Sequence, residues 1–202
     1  LELGSQYVEE LSSSGADTEE IQTWLHSYFA KITAIVGENV MDPYAVIDGA
    51  IVAANPWEGN GGYDYQGTDW YRQALEADGE VIFTDAYIDA ITGSPVITAA
   101  RKFEGSDDVL AMDIFPRNFH ERAESKSLPE DGSLYLCDSK GTLLYSSTKW
   151  DASDEELQYF TDELFKGIQD GSLLAYDASF RDPDGVQRGA YYYEMSNGWT
   201  VI

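Results

Sequence analysis

Two neighbouring stretches hold the residues with most chemistry to offer: DWYRQALEADGEVIFTDAYIDAITGSPVITAARKF, residues 69–103, and VLAMDIF, residues 109–115. Asp113 is a carboxylate in the middle of an apolar run. Burying an ionised carboxylate without a partner is costly, and buried acids tend to mark sites. A ligand contact is therefore the stronger reading of Asp113, with an internal hydrogen bond as the alternative. Trp70 and Tyr71 open a short helix, and each alone reads as core. Tyr87 alternates with apolar neighbours and reads the same way. Asp89 is placed to cap a turn at Thr92-Gly93 rather than to meet a ligand. Tyr191, Tyr192 and Tyr193 read as strand residues.

Other chemistries find little support. The two histidines are His26, on an apolar-rich helix, and His120, among charges, and neither belongs to a serine or cysteine triad pattern. DPDGVQRG has the aspartate spacing that starts a calcium loop but no glutamate at the twelfth position, so it reads as a hairpin turn. The glycines of GNGG do not form a phosphate-binding pattern. Nothing selects two of the many carboxylates as a glycosidase pair. No catalytic residue, metal ligand or cofactor is expected, and the chain does not read as an enzyme. Cys137 is the only cysteine, which excludes an intrachain disulfide and a cysteine zinc cluster.

The 202 residues carry a formal charge of −25, from 37 acids against 12 bases. That balance argues against nucleic acid or an anionic membrane surface as partner and favours cations, although acid that merely keeps a surface soluble has the same signature. With 43% hydrophobic and 13% aromatic residues the chain can bury a real core. No apolar run approaches the roughly 18 residues that cross a bilayer. Neither a starting methionine nor a signal peptide is present, which reads as an excised piece whose membrane anchors lie outside it.

The elements that must position these residues follow from pattern. Behind Asp17, with Glu20 three residues on, the spacing of Ile21, Leu25, Tyr28, Phe29 and Ile32 predicts a capped helix with one face on a sheet. Leu1, Val8 and Leu11 indicate another before it. YAVIDGAIVAA is a hairpin around Asp48-Gly49. A Gly- and Tyr-rich loop, a helix at about 69–77, strands turning at Thr92-Gly93 and a strand VLAMDIF complete one unit. The order then recurs: a hairpin near Lys140-Gly141, a helix at 153–168, the turn DPDG between LLAYDASF and a single strand VQRGAYYYEM, and a last strand GWTVI. This predicts two related α+β lobes joined by residues 115–131.

On these residues the chain resembles the double Cache domains. DWYRQALEADGEVIFTDAYIDAITGSPVITAA looks like their signature stretch, in which a WY pair opens a helix and a Tyr-x-Asp-x-x-Thr-Gly segment follows. GSLYLCDSKGTLLYSS resembles the hairpin of their second lobe, and YYYEMSNGWTVI its closing Gly-Trp strand. The resemblance covers nearly the whole chain. It implies an N-terminal helical segment, residues 1–34, then two PAS-like lobes, each an antiparallel sheet flanked by helices: a membrane-distal, ligand-binding lobe at 35–115, and a connector with a membrane-proximal lobe at 116–202. It further implies the extracytoplasmic sensor of a bacterial or archaeal membrane receptor, dimeric through the N-terminal helix and membrane helices, whose output is a histidine kinase, a diguanylate cyclase or a chemoreceptor.

Members of that family that bind amino acids use a Tyr-x4-Arg-x-Trp-Tyr pattern, a later Tyr, and an Asp on the strand after the hairpin. The matching positions here are Tyr63, Thr68, Trp70, Tyr71, Tyr87 and Asp113. Five agree, and Thr68 stands in the place of the arginine. Asp113 and the aromatic faces suit an ammonium group, but Thr68 cannot clamp a carboxylate as a guanidinium does. Either another base, such as Arg72 or Arg101, replaces the clamp, or the ligand has no α-carboxylate and is an amine. A small amine or amino acid is the expected ligand. The alternatives are a small carboxylate, or a structural or adhesive surface domain with an empty pocket.

Overall fold

The computed structural model describes residues 1–37, 40–116, 132–174 and 179–202. The predicted connector and His120 lie outside these residues, apart from Phe115 and Pro116. The chain divides into two compact units, Leu1–Phe115 and Pro116–Ile202.

The first unit begins with two helices, α1 (Glu2–Ser13) and α2 (Thr18–Val36). The predicted capping box is present: Asp17 accepts the Glu20 amide at 2.9 Å, and Glu20 accepts the Asp17 amide at 3.1 Å. Strands β1 (Tyr44–Ile47) and β2 (Ala50–Ala53) follow. Asp48 and Gly49 between them have φ of 49° and 80°, the left-handed pair that a tight hairpin requires. Next come α3 (Asp69–Ala77), β3 (Ile82–Phe83), β4 (Tyr87–Ile88), β5 (Pro95–Lys102) and β6 (Val109–Ile114). They form one antiparallel sheet in the order β2-β1-β6-β5-β3, with β4 also paired to β5.

Strand alternation gives this sheet two buried faces. On one, Ala45, Ile47, Val52, Phe103 and Leu110 pack with Val8, Ile21 and Leu25 of α1 and α2. On the other, Val46, Ala100, Val109 and Ala111 pack with Trp70, Tyr71 and Ala74 of α3. Asp113 and Thr98 have the same parity as Ala111 and Ala100 and are paired in register, so they belong to the α3 face.

The second unit repeats the plan with β7 (Leu134–Cys137), β8 (Leu143–Ser147), α4 (Asp154–Gln169), β9 (Ser179–Arg181), β10 (Gln187–Gly189), β11 (Tyr193–Glu194) and β12 (Thr200–Val201). Its sheet order is β11-β12-β7-β8, and β9 and β10 pair as a separate ribbon. The expected single strand VQRGAYYYEM is thus split. Its first part pairs with β9 and its last part with β12, and Ala190 between them turns into the core, 5% exposed. Tyr193 is a strand residue, whereas Tyr191 and Tyr192 lie in the break.

α4 has a second capping box, in which Ser153 accepts the Glu156 amide at 3.3 Å, and each of the two helices depends on its N-cap side chain. Asp17→Ala should destabilise the first unit by about 0.5–2 kcal/mol, measured as a lowered urea midpoint with an unchanged slope.

Candidate ligand-binding site

Asp113 is 4% exposed. Its Oδ1 accepts hydroxyls from Thr98 at 2.6 Å, Tyr44 at 3.2 Å and, at the limit, Tyr87 at 3.5 Å. Tyr87 also shares a 2.6 Å hydrogen bond with Thr98. Three strands thus aim a hydroxyl at one oxygen: β1 through Tyr44, β4 through Tyr87 and β5 through Thr98. No described residue donates to Oδ2. Thr98 is fully buried, while Tyr44, Tyr63 and Tyr87 are partly exposed.

Among the described residues no base offsets the charge. Burial pushes the Asp113 carboxyl up to about 6, against the pull of the hydroxyls from Thr98 and Tyr44, and the nearby Asp89 charge adds to the rise. The field of Asp113 is felt in turn by Tyr44 and Tyr87, whose hydroxyls burial first of all holds above the ordinary range.

The aromatic wall comes from α3 and the loop before it. Trp70, 1% exposed, stands edge-on to Tyr44 at 5.3 Å and to Tyr71 at 5.7 Å. Its Nε1 has no hydrogen-bond partner among the described residues. The indole is near enough to lower the Tyr63 hydroxyl's pKa against the rise from burial, yet the pair does not reach bonding geometry. Tyr63 in turn meets Trp57 edge-on at 6.3 Å. A Cβ on Gly59 would sit 1.9 Å from the Trp57 ring, so only glycine lets that tryptophan fold back over the loop.

Two of the six sequence candidates are directed elsewhere. The Thr68 hydroxyl donates to the Tyr65 carbonyl at 2.6 Å and accepts the Tyr71 amide at 3.4 Å, capping α3. The Tyr71 hydroxyl donates to the Asp107 carbonyl at 3.0 Å, in the β5–β6 loop at the far end of β6 from Asp113. Tyr63, Trp70, Tyr87 and Asp113 are brought together. Neither proposed replacement for the clamp joins them. Arg101 lies on the opposite face of the sheet, donating to Ser5 Oγ of α1 at 2.9 Å and to the Gly79 carbonyl at 2.7 Å. Arg72 is exposed on α3 and bonded to Asp69. Asp89 caps its turn as expected, accepting the Thr92 amide at 2.6 Å and the Ile91 amide at 3.2 Å. The residues missed from sequence are Tyr44 and Thr98. Thr98 had a signal, as a polar residue inside the apolar VITAA.

The first unit coincides with a known sensor module. Residues 6–114 match the family described as methyl-accepting chemotaxis protein-like, first PDC sensor domain. The chain belongs to this family. Among curated relatives, the Bacillus subtilis methyl-accepting chemotaxis protein McpB is 32% identical over 83 residues, 41% of this chain and 12% of McpB. McpC of the same organism is 29% identical over 122 residues, 56% of this chain and 18% of McpC. The chain therefore spans less than a fifth of either receptor. In fold, the ligand-binding domain of the Campylobacter jejuni chemoreceptor Tlp3, solved with L-valine, superposes with a TM-score of 0.65 at 15% identity, covering 99% of this chain and 81% of that one. The double Cache, α+β architecture is thereby established, and the family is one of sensors rather than catalysts.

The unneutralised acid sets a pH dependence in this sensor domain. Because the Asp113 carboxyl is raised from 3.8 to about 6, the folded state holds its proton more tightly than the unfolded one. Stability contributed by this group is complete below pH about 4 and is lost as the pH rises through about 6, a change of about 3 kcal/mol. Asp113→Asn removes that loss. Urea unfolding should show the variant gaining on the wild type between pH 4 and 7, and a pH-independent difference would contradict the burial argument.

Proposed function

We propose that this sensor domain binds a small amine or amino acid by its ammonium group at Asp113, and that it does so outside the cell as part of a membrane-anchored chemoreceptor. The observation that carries the reading is a buried carboxylate that has, among the described residues, hydroxyl partners on one oxygen, none on the other, and no basic residue beside it. An ammonium group supplies the missing charge and donates to Oδ2. The faces of Trp70, Tyr63 and Tyr44 add cation–π attraction of about 0.5–2 kcal/mol each. A carboxylate without an ammonium would instead meet Asp113 as a like charge.

On this reading residues 35–115 are the membrane-distal, ligand-binding lobe and 116–202 the connector and membrane-proximal lobe. Thr68 and Tyr71 hold α3 and its rings in place rather than touching ligand, while Tyr44 and Thr98 join the contact set. No helix among the described residues is long and apolar enough to cross a membrane, and the anchoring segments are assigned to parts of the receptor beyond this chain. The full receptor is a dimer joined through its N-terminal and membrane helices, and the chemotaxis relatives make a chemoreceptor the favoured output over a kinase or cyclase.

Arg101 and Arg72 are engaged elsewhere, so among the described residues an α-carboxylate would find only neutral donors, chief among them Trp70 Nε1. Stripping water from a carboxylate without a matching cation costs affinity. Amines are therefore favoured over their parent amino acids, and the charge of −25 adds a long-range attraction for cations.

Thermal-shift screening of amines and amino acids tests the class, and calorimetry of the pair isobutylamine and L-valine tests the preference. The amine should bind more tightly at both low and high salt, with only the long-range part of its advantage screened by salt. Tighter binding of L-valine at both would return a carboxylate clamp to the site. Asp113→Ala should weaken amine binding at least about tenfold, the equivalent of one lost charge-assisted bond, in a protein that still folds. Since an ammonium needs the ionised acid, amine affinity should fall about tenfold per pH unit below pH 6.

A further inference from the structure

The second unit carries a cleft of about 770 Å3, within the roughly 300–1,000 Å3 of small-molecule sites. Its floor is aromatic. Phe160 of α4 stands edge-on to Tyr135 of β7 and to Trp150, with centroids 5.7 Å apart in both pairs, and is tilted against Phe180 of β9 at 5.8 Å. Tyr191 and Tyr193, 64% and 71% exposed, stand at its mouth.

Topology places this cleft on the sheet face that corresponds to the Asp113 face of the first unit. The first sheet runs β2-β1-β6-β5 and the second β8-β7-β12-β11, so β7 corresponds to β1, β12 to β6 and α4 to α3. Where the first unit sets Asp113 on the α3 face of β6, the second sets Ile202, just after β12, on the α4 face: it pairs with Tyr135 and lines the cleft. An apolar side chain stands on this face in place of an acid.

Charge points the same way. The lining holds two bases, Lys149 and Arg188, and two acids, Asp182 and Asp184. Arg188 Nε and Asp182 Oδ2 are paired at 2.7 Å. In a chain with 37 acids against 12 bases, this is a locally balanced surface. Among the described residues it offers an ammonium no buried anion, and the surrounding field opposes an anion. Edge-on rings instead accommodate another ring.

We propose that the second unit binds a small neutral molecule built on an aromatic ring, giving the sensor two ligand sites of different chemistry. This site stands apart from the amine reading and does not depend on it.

The test is a phenol titration of the 15N-labelled chain, followed at the indole N–H resonances of its five tryptophans, with those of Trp150 and Trp70 assigned by Trp→Phe substitution. Phenol should move the Trp150 resonance saturably at millimolar concentrations and leave Trp70 unmoved. Phe180→Ala removes a wall and should weaken phenol at least about tenfold. Ser133→Trp, at an exposed lining residue, fills the cleft without disturbing the core and should abolish the shift even if the first variant unfolds. A Trp150 resonance that stays fixed, that drifts in parallel with all the others, or that still responds in Ser133→Trp overturns the proposal. Loss of amine binding at Asp113 would leave all of these outcomes unchanged.

Discussion

The first unit is organised around a carboxylate that, among the described residues, is buried without a cation. Asp113 sits on β6, flanked by β1 and β5, where water is excluded and the protein offers hydroxyls in place of charge. Hydroxyls from Tyr44, Thr98 and Tyr87 hold one oxygen in place, but dipoles do not remove the penalty of ionisation, as the elevated carboxyl pKa records. A buried acid left in this condition is poorly explained as a source of stability, because an apolar residue would fill the position at less cost. It makes physical sense as one half of an interaction whose other half arrives from solution.

The rest of the unit places its supporting helices and the proposed recognition residues on the two faces of one sheet. α1 and α2 cover the face that carries Leu110, Phe103 and Arg101, and α3 covers the face that carries Asp113's neighbours. Thr68 caps α3, and Tyr71 ties that helix to the β5–β6 loop through Asp107. With α3 fixed at both points, the Trp70 ring is held against Tyr44, and its N–H is left without a partner among the described residues. Family membership and the α3 geometry therefore describe the same segment from two directions.

Much of this could be read from the sequence, for definable reasons. Helical periodicity and cap chemistry are local, so the Asp17 box and the 69–77 helix were legible in advance, as was the Asp48-Gly49 turn. Asp113 could be singled out because a charge interrupting an apolar strand is anomalous wherever the strand lies. Tyr44 and Thr98 were not found, because their meeting with Asp113 depends on the pairing of β1, β5 and β6, which sequence does not state. Arg101 shows the opposite case. It lies an odd number of residues from Thr98 along β5, so alternation alone places it on the other face, and only the register makes that parity meaningful. In the second unit, VQRGAYYYEM looked continuous, since nothing local reveals that its ends pair with different strands.

The account rests on Asp113 being the group an ammonium meets, and its own ionisation reports this most directly. Carbon-13 NMR of the Asp113 side-chain carboxyl, titrated with and without excess isobutylamine, should give a pKa of about 6 in the free protein. With the amine bound it should fall below the ordinary carboxylate range, because a desolvated ammonium favours the charged form. An Asp113 that titrates near 3.8 when free, or whose raised pKa is unmoved by an amine that binds, would contradict it.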